Sequence, residues 1–198
     1  MKLNRNFFDR DARIVGEDLI GKILVRKYDD TVIKSRIVET EAYIAAIDKA
    51  SHAYGGKITP RTKVMFGPPG HAYVYFIYGM YYCMNFVTEE EGICSAVLIR
   101  AVEPLINEEE MSFNRYGMQL SALTKYQRKN ISNGPGKLCN ALRITKEHNG
   151  ADLTGDKIYV KDDGFKDFNT EKSKRINIDY AEEARDFLWR YTIHYNNA

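Results

Sequence analysis

A chain of 198 residues, 44% of them hydrophobic, can bury one sizeable core and is short for two full domains. Its 29 basic and 27 acidic residues leave a net charge of +2, so any surface for a polyanion has to be local. No apolar run approaches the roughly 20 residues of a membrane helix, and Cys83, Cys94 and Cys139 are too few and too dispersed for a disulfide framework or a zinc site.

Asp11 to Leu19 places Ala12, Val15 and Leu19 on one helical face, and after Gly21 the apolar run Ile23-Leu24-Val25 predicts a strand. Asp29-Asp30 marks a turn. Thr31 to Tyr43 is rich in β-branched residues, and its period of two puts Ile37, Glu39, Glu41 and Tyr43 on one side. Ala45 to Lys63 has no clean period and holds Gly55-Gly56 and Thr59-Pro60-Arg61, which predicts a functional loop. Tyr73 to Ile77 and Tyr81 to Val87 flank Tyr78-Gly79-Met80, the pattern of a hairpin with a tyrosine near its tip. Ala96 to Ile99 reads as a further strand that ends in Arg100. Asn107 ahead of three glutamates marks a helix start, and Gly134-Pro135 opens another helix with Leu138, Ala141 and Leu142 on its apolar stripe. Asp179 with Glu182 resembles a capping box ahead of Ala184, Phe187 and Leu188. Strands and helices do not alternate as in a doubly wound parallel sheet. The class is therefore α+β, one domain over 1–198 with a curved, mostly antiparallel sheet flanked by helices.

Aromatic residues are densest from Tyr73 to Tyr82, six in ten positions. Most of these rings suit cross-strand packing. Tyr78, beside the glycine of a turn, has little core to enter, and a protruding ring can wedge between base pairs. Glu41 lies two residues from Tyr43 and just ahead of a loop with His52, a suitable place for a general base beside an aromatic slot. His52, His71, His148 and His194 have no ligand spacing, so no metal is expected. Gly67-Pro68-Pro69-Gly70 starts like a phosphate loop, but His71-Ala72-Tyr73 stands where that loop needs lysine and Ser/Thr. Gly134-Pro135-Gly136-Lys137 lacks the same spacing, yet a helix start with a lysine suits a single backbone phosphate.

Val38-Glu39-Thr40-Glu41-Ala42-Tyr43, His52, Thr59-Pro60-Arg61, Met65-Phe66, Tyr73-Val74-Tyr75, Ile77-Tyr78-Gly79-Met80 and Cys83-Met84-Asn85 occur in that order. They are followed by Val97-Leu98-Ile99-Arg100-Ala101-Val102-Glu103-Pro104, Gly134-Pro135-Gly136-Lys137-Leu138 and a weaker Arg175-Ile176-Asn177-Ile178. Together these segments resemble the alkyladenine, or 3-methyladenine, DNA glycosylases over nearly the whole chain.

The resemblance implies a single α+β domain whose hairpin enters the DNA minor groove, with no metal or organic cofactor. It implies a monofunctional enzyme that flips an alkylated purine from duplex DNA and hydrolyses its N-glycosidic bond, acting as a monomer. By position, Glu41 would activate water with Arg100 beside it, and the Ile176 carbonyl would share that water. Tyr43 would stack on one face of the base, and His52 and Tyr75 would lie against the other, with the His52 backbone bonding the base edge. Tyr78 would fill the vacated stack with Met80 in support. Asn85 would form the pocket floor, and Arg61 and Lys137 would meet the DNA backbone. Glu108 to Lys129 and Lys146 to Lys174 match less closely and carry no assigned roles. The charged start Met1-Lys2-Leu3-Asn4-Arg5 lacks a following signal core and stands almost at the domain, so a cytoplasmic, or in a bacterium nucleoid-associated, protein without a long N-terminal extension is expected. A non-catalytic lesion-binding protein would keep Tyr78 and the basic contacts without needing Glu41 and Arg100 together. An RNA-binding or RNA-modifying domain would instead prefer single strands to damaged duplex.

Overall fold

Short-range chemistry sets the first elements. The Asn4 side chain caps a one-turn helix, α1 (Arg5–Phe8), and Asp11 accepts from the Arg13 N–H to start α2 (Ala12–Asp18). In this computed structural model, which describes residues 1–196, the chain then enters the antiparallel pair β1 (Ile23–Tyr28) and β2 (Thr31–Ile44). The aromatic hairpin follows as β3 (Ala72–Ile77) and β4 (Tyr81–Thr88), and β5 (Ser95–Ile106) runs well past the four residues expected of it. Next come α3 (Glu108–Tyr116), α4 (Lys125–Lys129) and α5 (Pro135–Ala141). The chain ends in β6 (Ile158–Lys161), β7 (Phe168–Ser173) and β8 (Arg190–Tyr195).

All strand pairings in the eight-stranded sheet are antiparallel, in the order β3-β4-β5-β2-β1-β6, with β7 joined through β8 to β2. The sheet forks at β2. One edge of β2 pairs with β5, while the other pairs with β1 over its first half and with β8 at Glu39, Thr40 and Glu41. The main core, including Phe8, Val15, Leu19, Ile37, Phe86 and Leu138, lies where the sheet meets α1, α2 and α5.

Three differences from the sequence reading have physical causes. The period of two along β2 fails at Ile37, which packs in the core with Ala42 rather than sharing a side with Glu41. The register against β5 shifts between Ile37 and Glu39, and a one-residue bulge exchanges the two faces of a strand. Second, the helix expected after Asp179 is only a 3-10 turn, Glu182–Asp186, with no side-chain cap. Its acidic residues Glu182 and Glu183 are engaged by Lys49 instead. Third, β6, β7 and β8 had no forecast, because Phe168–Ser173 is largely polar and lacks the alternation of a half-buried strand.

Candidate active site

Two compensating irregularities build the polar centre. Between the pairs Ile37↔Val102 and Glu39↔Ala101 β2 carries an extra residue, and between Glu39↔Ala101 and Thr40↔Ile99 β5 does, leaving Arg100 outside the ladder. A bulge re-aims the side chain it carries. Arg100 thereby bridges two carboxylates, its Nε donating to Glu39 at 2.9 Å and its Nη1 to Glu41 Oε2 at 3.3 Å. Arg190 of β8 donates to Glu39 from the other side. Burial alone would lower the Arg100 pKa, but the Glu41 and Glu39 charges outweigh it and raise it.

Glu41 is wholly buried. Its Oε2 also accepts from the Tyr43 hydroxyl at 2.7 Å, and its Oε1 accepts from the Ile176 backbone N–H at 2.8 Å. Burial first, and the neighbouring Glu41 charge second, push the Tyr43 phenol well up, so Tyr43 stays a donor. A carboxylate has about four lone-pair positions. Three are filled here, and the free one is on Oε1.

These groups back onto a cavity of about 510 Å³, a usual size for a small-molecule site. Tyr43, His52, Tyr75, Tyr78, Asn85, Arg100, Lys137 and Ile176 all line it. Glu41 lies behind that wall, while Met80 and Arg61 are exposed outside the lining. The His52 and Tyr75 rings meet edge to face at 4.6 Å, and Tyr75 stacks on Tyr73 at 5.3 Å. Arg61 lies 4.9 Å over Tyr75 and 3.3 Å from His52 Nε2. A guanidinium can only donate, so Nε2 accepts and Nδ1 carries the proton toward the Tyr73 oxygen, 3.1 Å away. The residue as a whole is exposed, but both ring nitrogens are engaged by Tyr73 and Arg61. Desolvation around the imidazole, and secondarily the Arg61 charge, push the His52 pKa down to about 4.

The hairpin closes at Ile77↔Tyr81 with Tyr78 and Gly79 in the left-handed region, φ 54° and 68°. Such a backbone is uncommon for tyrosine and leaves the ring 74% exposed at the tip. The turn end of the hairpin rests on α5, where a Cβ on Gly136 would come within 2.8 Å of the Tyr81 ring. α5 in turn presents Lys137, tied to Asn130, at the cavity edge. Asn85 is buried, and its Nδ2 donates to the Tyr73 carbonyl at 3.2 Å.

The family model described as methylpurine-DNA glycosylase matches residues 6–197. The chain belongs to this family. Within the methylpurine-DNA glycosylases, a protein of Alkaliphilus oremlandii is 56% identical over 193 residues, covering 98% of this chain and 96% of that protein. One from Clostridium perfringens is 54% identical over 196 residues, with 98% and 96% covered, and one from Clostridium acetobutylicum is 51% identical over 193 residues, with 98% and 94% covered. All three carry the provisional name 3-methyladenine DNA glycosylase.

In this member of the methylpurine-DNA glycosylase family the groups around Glu41 exceed those found by sequence. Ile176 touches Glu41 through its N–H, whereas the resemblance implied a role for its carbonyl. Glu39, Asp48 and Arg175 had no role assigned, and all three are buried and ion-paired beside the site. Asp48 and Arg175 stand where no periodic pattern marks them, and Glu39, although it shares the Glu41 side of the strand period, shows its role only through Arg100 and Arg190.

Proposed function

We propose that this chain is a monofunctional 3-methyladenine DNA glycosylase that removes damaged purines from duplex DNA with a water activated by Glu41. The observation that carries this reading is the buried Glu41 carboxylate, held by Tyr43, Arg100 and the Ile176 N–H with one Oε1 lone pair free, behind an aromatic cavity. The damaged nucleotide turns out of the helix into the cavity, and Tyr78, with Met80 in support, occupies the gap it leaves. Tyr43 stacks on one face of the base, and His52 and Tyr75 lie against the other. Arg61 and Lys137 neutralise backbone phosphates.

Methylation at N3 or N7 makes the purine cationic. As the bond from C1′ to the base nitrogen breaks, its electron pair leaves with the base and cancels that charge. Positive charge then develops on the sugar, and the anionic Glu41 opposes it. The water oxygen bonds to C1′ and its proton passes to Glu41 Oε1, leaving an abasic site in an intact strand. Glu41→Gln keeps the shape and removes the acceptor. Excision should fall by roughly 100-fold or more with lesion-duplex binding retained, and near-normal base release in a single-turnover assay would reject the assignment.

A further inference from the structure

Arg175 does not line the cavity, yet it is the most heavily bonded side chain beside it. It and Asp48 are fully buried, and its two terminal nitrogens donate to both Asp48 oxygens, to the Ala42 carbonyl at 2.8 Å and to the Ala184 carbonyl at 3.1 Å. The guanidinium also lies 4.6 Å from the Tyr43 ring and 5.2 Å from Trp189. One planar cation thus joins the end of β2, the turn before His52, the 3-10 turn and its own segment, 174–178, which has no strand or helix to hold it.

Both ends of the Glu41 carboxylate accept from groups next to Arg175. Ile176, the next residue, donates its N–H to Oε1, and Tyr43, the ring under the guanidinium, donates its hydroxyl to Oε2. Burying an ion pair is costly in desolvation, and apolar side chains of similar volume can join two segments as firmly. An apolar plug cannot fix the rotation of a loop so that one chosen N–H meets one chosen oxygen. A guanidinium, with five donors in a rigid plane, can.

We propose that the Arg175–Asp48 pair is the positioning device of this active site, keeping the Ile176 N–H and the Tyr43 hydroxyl on Glu41 so that the carboxylate turns its free lone pair toward water. The proposal rests on Glu41 being the proton acceptor. The other groups facing Glu41 are Arg100 of β5 with Glu39 behind it, Arg190 of β8 on the far side of Glu39, and the Cys83 thiol of β4. None of them is hydrogen-bonded or ion-paired to Arg175 or Asp48, so the pair can be altered with those bonds in place.

Asp48→Asn keeps the shape and loses the charge, and Arg175→Lys keeps the charge and loses the fork. In both, the single-turnover excision rate should fall roughly 10-fold while lesion-duplex affinity stays within about threefold. The acid limb of the rate–pH profile should move to higher pH, because a carboxylate that loses a donor is protonated more readily. Asp163→Asn, which loosens the distant Arg36–Asp163 pair, should lower thermal stability and leave the limb in place. In the unaltered protein the Ile176 amide should exchange slowly with solvent. An Ile176 amide exchanging at free-chain rates, or folded Asp48→Asn and Arg175→Lys proteins with an unmoved limb and full rate, overturns the proposal. Loss of excision in Glu41→Gln alongside a normal Asp48→Asn would sink this proposal alone, whereas a normal Glu41→Gln would sink the reading beneath it.

Discussion

Asn85 sits on β4 opposite Tyr73 on one side and Leu98 on the other, and its amide donates to the Tyr73 carbonyl. A carbonyl can only accept, so the bond fixes which way the amide faces and makes it a rigid part of the cavity wall. Guanine carries an exocyclic amino group at its minor-groove edge where adenine has none. In the proposed function, a rigid amide against that edge would reject guanine by overlap. Asn85→Ala or Asn85→Ser should raise excision of guanine-derived lesions relative to adenine-derived ones by roughly 10-fold, the scale of one relieved polar clash. Rates on paired duplexes differing only in the lesion decide it, and an unchanged ratio would leave Asn85 as a packing residue.

Elements of this fold matter to the site through close approach. The hairpin carries Tyr75, Tyr78 and Asn85, α5 carries Lys137, and the two are held together where Tyr81 lies on Gly136. Gly136→Ala would set a methyl 2.8 Å from Tyr81 Cγ and 2.9 Å from its Cβ, atoms that move only with the strand. Overpacking of this kind costs about 1–3 kcal/mol, or about 2–4 °C of melting temperature per kcal/mol at this chain length. Affinity for duplex DNA should fall along with stability, since the hairpin and Lys137 shift apart. A calorimetric scan and a duplex titration test both parts, and a variant as stable as the parent would show that the contact relaxes freely. Gly134-Pro135 announced α5 plainly, but nothing in Gly136 itself announces which ring will lie upon it.

At the scale of the whole molecule, two histidines each accept a hydrogen bond from an arginine. Arg61 donates to His52 Nε2 and Arg26 to His148 Nε2, and protonation of either ring would oppose two cations. Burial, with the arginine adding to it, lowers both pKa values, that of His52 to about 4. A base whose pKa is depressed on folding favours the unfolded chain as pH falls. Stability should thus be full above about pH 6.5, the value for a free histidine, and decline from there toward pH 4. His148→Gln retains an acceptor for Arg26 without titrating, so it should flatten part of that decline in melts run from pH 7.5 to 4.5. A parallel curve for the variant would place the titration elsewhere.

Much of this protein follows from local sequence. Asp11 capping α2, Pro135 opening α5, the hairpin around Tyr78-Gly79-Met80 and the sheet strands through Arg100 are all legible, because caps, turns and alternation are short-range constraints. The nearness of Glu41 to Tyr43 is legible too, as a matter of strand period. The tertiary structure alone decided that paired bulges in β2 and β5 turn Arg100 between Glu39 and Glu41 and move Ile37 to the other face. It also decided that Asp48 and Arg175, 127 positions apart, form a buried pair. A bulge is a mismatch between two strands, and an ion pair between distant loops is a matter of where the chain returns, so neither has a signature in any one stretch of residues.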